Sequence, residues 1–227
     1  MRIAIIPARS KSKRIKNKNL QLFNGKPLIA HAIKSAIDSK LFDKVIVSTD
    51  SKKIQSLSKK NGAICSFLRP KNLSGDKIIT APVLLHAVKQ LNLTRIDYIC
   101  CIYPTAVLMK KDNLNKGLKK LIISKADCCY AITEYDFPIL RSVNYNSKYL
   151  KYNWKGYKNY RSQDLDTAYH DAGQFYWLNY KKFTKHKSLY PKKSVGIKID
   201  RRQVQDIDDY TDFELAKIKY KLLKRKL

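Results

Sequence analysis

Met1-Arg-Ile-Ala-Ile-Ile-Pro-Ala-Arg-Ser-Lys-Ser-Lys-Arg-Ile-Lys-Asn-Lys-Asn-Leu20 opens the chain, and its two halves have opposite chemistry. A short apolar run, Ile3 to Ile6, breaks at Pro7 into a loop that carries Arg9, Lys11, Lys13, Arg14, Lys16 and Lys18 and is closed by Asn19. An unbroken apolar run of this length, bounded by a turn residue, predicts a strand buried in a sheet. The strand therefore delivers cations and small polar side chains to one end of that sheet. In open α/β sheets ligands bind at the carboxyl end of the strands. A dense set of fixed cationic donors placed there suits a polyphosphate.

Strand-like and helix-like segments alternate outward from this start. Residues 27–39 predict a helix, with Leu28, Ile29, Ala32, Ile33, Ala36 and Ile37 on one face. Residues 44–48 predict a strand ending in Ser48-Thr49-Asp50, followed by a helix from Ser51 that stops near Gly62. Residues 63–67 read as a strand, and residues 80–91 as a helix with Thr80 as N-cap and Pro82 in the first turn. A strand at 96–103, a helix at 112–124, strands at 127–133, 174–178 and 194–199, and a closing amphipathic helix at 209–224 complete the series. This cadence predicts an α/β fold: a Rossmann-like, mostly parallel sheet with helices on both faces. It fails over 134–168, where Tyr135, Tyr145, Tyr149, Tyr152, Tyr157, Tyr160 and Trp154 stand among lysines. That segment reads as an arm protruding from a single domain spanning 1–227.

With 227 residues, 44% of them hydrophobic, the chain is long enough to bury a substantial core. No stretch approaches the ~20 apolar residues of a membrane helix, and cations from Arg9 onward leave no signal-peptide core. A cytoplasmic protein with no membrane partner is expected. The adjacent pairs Cys100-Cys101 and Cys128-Cys129 point to opposite faces of a strand, so neither bridges itself; with Cys65 they read as reduced and buried. The net charge of +29 admits a nucleic-acid binder, or a field attracting anionic substrates. The excess is spread through Lys-rich stretches and the tail from Lys217, which favours a lysine-biased surface, and no nucleic-acid partner is expected.

Neither G-x-x-x-x-G-K-[ST] nor G-x-G-x-x-G occurs, which excludes the P-loop and dinucleotide fingerprints. Arg9, Lys13, Arg14 and Lys18 are candidates to grip phosphate oxygens, with Ser12 and Asn19 as neutral partners for phosphate or ribose. Asp206 and Asp208, two residues apart, would share a face if extended as a strand and so form a candidate metal pair. The competing reading makes residues 206–209 a cap for the last helix.

The motif Ile5-Ile6-Pro7-Ala8-Arg9-x-x-Ser12-Lys13-Arg14-Ile15-x-x-Lys18-Asn19 resembles the opening of the sugar-acid cytidylyltransferases, the CMP-sialic acid synthetase family. Phe42 to Asp50, Leu68-Arg69-Pro70-x-x-Leu73-Ser74-x-Asp76 and Gln205-Asp206-Ile207-Asp208 match in the same order, covering nearly the whole chain. The resemblance implies a fold of the nucleotide-diphospho-sugar transferase type. It implies magnesium-dependent joining of CTP to the anomeric hydroxyl of an acidic sugar, with release of pyrophosphate and usually by a dimer. By position, Arg9, Ser12, Lys13, Lys18 and Asn19 would meet the CTP phosphates and ribose, with Arg9, Lys13 and Lys18 catalytic; Arg69 would lie near the base. Asp206 and Asp208 would hold the metal, leaving Asp209 as cap, while Arg14 joins the CTP set on charge and placement.

The segment Arg161 to Trp177 bears on the sugar. His170-Asp171-Ala172-Gly173-Gln174 stands where sialate enzymes commonly have an Asn-Gly pair, and Tyr103 where they usually have Gln; both resemble the pseudaminic acid branch. Tyr103, Arg161, Gln163, His170, Asp171 and Gln174 are the candidate sugar contacts, with Arg161 suited to the sugar carboxylate. The expected substrate is thus an acidic nine-carbon sugar; neuraminic, legionaminic and 3-deoxy-octulosonic acids are the alternatives. The chain departs from the commonest family form at Ser10-Lys11, where Gly-Gly is usual, and at Lys16, where Pro is frequent. If the loop needs φ > 0 at Ser10 or Lys11, strain is expected.

Overall fold

The computed structural model describes residues 1–146 and 148–224, so Ser147 of the arm and residues 225–227 of the basic tail lie outside the described residues. In chain order the elements begin with β1 (Arg2–Pro7), the short pair β2 (Leu22–Phe23) and β3 (Lys26–Pro27), and α1 (Leu28–Asp38). Then come β4 (Lys44–Ser48), α2 (Lys52–Lys60), α3 (Thr80–Gln90), β5 (Tyr98–Ile102), α4 (Lys111–Ser124) and β6 (Cys128–Glu134). The arm carries β7 (Val143–Tyr145) and β8 (Leu150–Tyr152), and the chain closes with β9 (Tyr169–Asn179), α5 (Tyr180–His186), β10 (Ser194–Lys198) and α6 (Tyr210–Lys224).

Six strands form one sheet in the order β10-β6-β9-β5-β1-β4. β1 pairs in parallel with β4 and β5, and β10 with β6, while β9 runs antiparallel between β5 and β6. The fold is therefore α/β with a mostly parallel sheet. Pairing of Pro7 with Ser48 and of Ile5 with Cys101 brings the carboxyl ends of β1, β4 and β5 to one edge.

The period of two divides the strands between two cores. Ala4, Ile6, Val45, Val47, Cys100, Cys129 and Trp177 pack against α1 and α4; Ile3, Ile5, Ile46, Cys101, Cys128 and Tyr176 pack beneath α3 and α5. Adjacent cysteines thus part to opposite faces, and all five are free and buried. Trp177 is fully buried, stacks on Phe42 at 5.0 Å and donates to the Leu114 carbonyl at 2.9 Å. Among the described residues no helix is long and apolar enough to cross a membrane.

The structure corrects three local expectations. Residues 63–67 form no strand: after one parallel bridge, Ile46 to Ile64, the Gln55 side chain takes the carbonyls of Cys65 and Phe67 at 3.0 and 3.3 Å. Thr80 is the first residue of α3 and Ile79 holds the cap position, with no side-chain cap bond. β9 begins five residues before the expected 174, because a register shift opposite Tyr130–Ile132 and Gly173 at φ 61° let the polar His170-Asp171 stay in the ladder. Ser51 does cap α2, accepting from the Ile54 amide at 3.3 Å. Residues 135–168 leave the sheet after β6 and return at β9; the β7–β8 hairpin exposes Tyr145, Tyr149 and Leu150, and Trp154 is exposed just after it.

Because Trp177 fills the core between β9 and α4 and its indole N–H is paired, Trp177→Ala is expected to cost ~3–5 kcal/mol of unfolding free energy. Trp177→Phe should lose less; urea melts followed by circular dichroism measure both.

Candidate active site

Four segments converge at the carboxyl edge of β1 and β5 around a cavity of about 490 Å³: the loop after β1, residues 69–80, the turn after β5, and the approach to α6. Local bonds hold the first loop in place. The Ala8 amide extends the sheet by donating to the Ser48 carbonyl at 2.9 Å, and the Asp50 carboxylate takes both the Ser10 amide and the Ser10 hydroxyl, at 2.7 and 2.8 Å. Buried Asn19 closes the loop by donating to the Arg9 carbonyl at 2.9 Å. Ile15 and Ile207, both fully buried, meet in a third apolar cluster with Phe23, Leu28 and Phe213, which docks the loop against the approach to α6.

Arg9, Ser12, Lys13, Arg14, Lys18 and Asn19 all line the cavity, and so do Arg69, Tyr103, Asp206 and Asp208. The remaining candidates do not. Arg161 and Gln163 lie in an exposed turn of the arm, where Ser162 accepts from Arg141 at 3.2 Å. His170 packs on Tyr135 at 4.8 Å. Asp171 accepts from the Tyr176 and Tyr190 hydroxyls at 2.6 and 2.8 Å, and buried Gln174 donates to the Gln203 carbonyl.

Two expectations about backbone change here. Ser10 and Lys11 are absent from the residues at positive φ, which in this loop is Asn17 at 54°; replacing Gly-Gly therefore imposes no strain. Asp206 and Asp208 lie on an irregular segment before α6 rather than on a strand, yet both reach the cavity. Asp209 caps α6 as expected, accepting from the Asp212 amide at 2.9 Å, while the Asp212 carboxylate takes the amides of Asp208 and Asp209.

The cations are paired within the site. Asp76 bridges Arg9 and Lys13, with Lys13 at 2.8 Å, and Asp208 pairs with Arg14 at 2.7 Å and Lys18 at 3.4 Å. Lys18 also donates to the Ile207 carbonyl at 2.5 Å. Hydrogen bonds from Lys13 and then Arg9 hold the Asp76 carboxyl below its usual range. Asp206 is pushed above it, first by desolvation on its protein side and then by the like charge of Asp208. Burial raises the Tyr103 phenol to about 12; its hydroxyl lies 3.3 Å from that of Thr80. Burial lowers the Arg69 guanidinium; among the described residues its Nε has no partner, and the Asn19 Oδ1 is likewise unpaired.

Asp76, Thr80 and Thr105 also line the cavity and were not singled out as site residues in the sequence. Asp76 stands inside the Leu68–Asp76 motif, so its position was visible, but its pairing with a loop 67 residues earlier was not. Among the described residues no group of three or more His, Cys, Asp or Glu could hold a metal, so Asp206 and Asp208 stand as a pair.

A cytidylyltransferase family model matches residues 3–223. The chain belongs to the cytidylyltransferase family. The pseudaminic acid cytidylyltransferase of Campylobacter jejuni subsp. jejuni serotype O:2 is 40% identical over 224 residues, 97% of this chain and 96% of that one. The N-acylneuraminate cytidylyltransferase of Escherichia coli O18:K1:H7 is 31% identical over 217 residues, 94% of this chain and 51% of that one. A solved CMP:2-keto-3-deoxy-manno-octonic acid synthetase complexed with CTP superposes with TM-score 0.70, covering 99% of each chain at 14% identity, and shares the fold.

In this cytidylyltransferase the buried, incompletely bonded Arg69 is costly to the empty protein. Arg69→Met, which keeps the volume and removes the charge, should raise the stability of the ligand-free protein by ~1–2 kcal/mol. A higher thermal midpoint with an unchanged circular dichroism spectrum is the expected result.

Proposed function

We propose that this chain transfers CMP from CTP to pseudaminic acid, giving CMP-pseudaminic acid and pyrophosphate. The observation that carries the reading is convergence: the cations of the β1 loop and the carboxylates of the α6 approach line one cavity, in a chain 40% identical to a pseudaminic acid cytidylyltransferase. Tyr103, in the same cavity, supports an acceptor with an apolar face. The surplus of 29 positive charges draws such anions toward the protein.

The anomeric oxygen of the sugar attacks the α-phosphorus, the bond from that phosphorus to the β-phosphate bridging oxygen breaks to release pyrophosphate, and the hydroxyl proton passes to solvent water. Catalysis is positioning and charge neutralisation. Arg9, Lys13 and Lys18 neutralise the phosphates, with Arg14 and Ser12 beside them. The unpaired oxygen of Asn19 is an acceptor suited to a ribose hydroxyl, and Arg69 is a donor suited to the base. A triphosphate must displace Asp76 from Arg9 and Lys13, replacing an exposed ion pair with charge-assisted bonds of higher charge.

Asp206 and Asp208 are the residues that would hold Mg²⁺. They present oxygen ligands to the cavity, which suit a hard cation that keeps waters and bridges carboxylates to phosphate. Bound there, the ion would neutralise phosphate charge and acidify the attacking hydroxyl. Arg14 must release Asp208 for this.

Arg161, Gln163, His170, Asp171 and Gln174 stand outside the cavity of one chain. We assign the exposed aromatic arm to a contact between two copies, so that Arg161 and Gln163 complete a sugar site on assembly. Five free, buried cysteines fit a reducing cytoplasm.

The test is pyrophosphate release with CTP, Mg²⁺ and, in parallel, pseudaminic, neuraminic, legionaminic and 3-deoxy-octulosonic acids. Release with pseudaminic acid alone is expected; release with another sugar keeps the chemistry and overturns the substrate. Arg9→Ala should raise the KM for CTP at least tenfold, a loss of ~1.4 kcal/mol or more. Asp208→Asn should lower magnesium-dependent turnover by ~100-fold, about 2.7 kcal/mol of transition-state stabilisation. Full turnover in that variant would remove Asp208 from the metal site.

A further inference from the structure

Beside the main cavity lies a second one of about 490 Å³, and the two share Ser12, Lys13, Ser74, Gly75 and Asp76. Tyr103, Arg69, Asp206 and Asp208 line the first and not the second. The second cavity therefore continues from the phosphate-gripping end, away from the acceptor and metal end. No apolar residue lines it. What it adds is Ser10, Lys11, Lys16 and Asn17. Among the described residues neither Lys11 nor Lys16 takes part in an ion pair, whereas Arg9, Lys13, Arg14 and Lys18 all do. Lys11 and Lys16 thus add unpaired charge to a loop whose start is tied to Asp50.

We propose that the second cavity is a pyrophosphate subsite, through which the leaving group passes from Arg9 and Lys13 to Lys11 and Lys16; this rests on the cytidylyl-transfer reading above. In-line displacement expels the leaving group on the side opposite the attacking oxygen; with the acceptor at the Tyr103 end, the cavity that lacks Tyr103 is where the leaving group would go. Asp76 forms part of the wall between the two. When pyrophosphate has separated from the α-phosphorus, Asp76 can re-form its pairs with Arg9 and Lys13. A carboxylate reclaiming these cations repels the polyanion, and Lys11 and Lys16 are the unpaired cations next to it. Pyrophosphate is the ligand of choice because Ser10, Ser12 and Ser74 hydroxyls, the Asn17 amide and the ammonium groups of Lys11, Lys13 and Lys16 are donors that suit phosphate oxygens, and among the described residues no aromatic side chain lines the space to hold a base.

The test is calorimetric titration of inorganic pyrophosphate into the full chain saturated with a non-hydrolysable CTP analogue. Three proteins are compared: the wild type, Lys11→Ala/Lys16→Ala, and the control Lys181→Ala/Lys185→Ala on α5, remote from the loop in sequence. Pyrophosphate should bind the analogue-loaded wild type and the control alike, and at least tenfold more weakly to the Lys11/Lys16 variant, with analogue affinity unchanged within twofold. Binding only when the analogue is absent, or equal loss in the control pair, overturns the subsite. Absence of analogue binding to the wild type is read in the first step and overturns the CTP reading together with it.

Discussion

Burial of Ile15 and Ile207 in one small apolar cluster is the constraint on which the site depends. The two residues are 192 positions apart, both are fully buried, and Phe23, Leu28 and Phe213 belong to the same cluster. Ile15 follows Arg14 in a loop otherwise built of cations and small polar residues; Ile207 sits between Asp206 and Asp208. Burying such side chains stabilises by ~1.5–3 kcal/mol each, more than exposed ion pairs between the same segments could supply. Apolar burial thus places the charges, and the charges need not place themselves.

That division matters because the polar side chains are not at an energetic optimum. Arg69 and Asn19 are buried with unpaired atoms, and Asp206 is pushed toward its protonated form. Asp76 and Asp208 offset part of the cationic excess, each holding two cations that a polyphosphate would want. Polar groups placed this way are costly to the fold, and the apolar clusters beneath them hold them in position. Sites that bind charge commonly have this character: the groups are oriented before the ligand arrives, so little ordering remains to be done on binding.

Much of the fold was legible because apolar periodicity and turn chemistry agree. β4 has the expected bounds, and α1, α2, α4 and β6 fall within a residue or two of theirs. The failures have local causes. The segment 63–67 has strand composition, but Gln55 takes two of the carbonyls that a ladder would need. Thr80 looks like a cap, yet its hydroxyl turns toward Tyr103. His170 and Asp171 are too polar to read as strand, and the shift beside Gly173 is what admits them to β9. Side-chain choices between partners distant in sequence leave no trace in a local pattern.

The sequence by itself determined the alternation of elements, the cationic loop after the first strand, the acidic pair before the last helix, and the motif order that points to the family. Each of these is written in neighbouring residues, where periodicity and composition act. Tertiary structure alone decided that loop and pair share a cavity, that Asp76 holds Arg9 and Lys13, and that Asp171 turns to Tyr176 and Tyr190. It also decided that Lys11 and Lys16 border a space of their own. Those outcomes depend on which buried surfaces fit together across the sheet, a property of the packed chain as a whole and of no segment read alone.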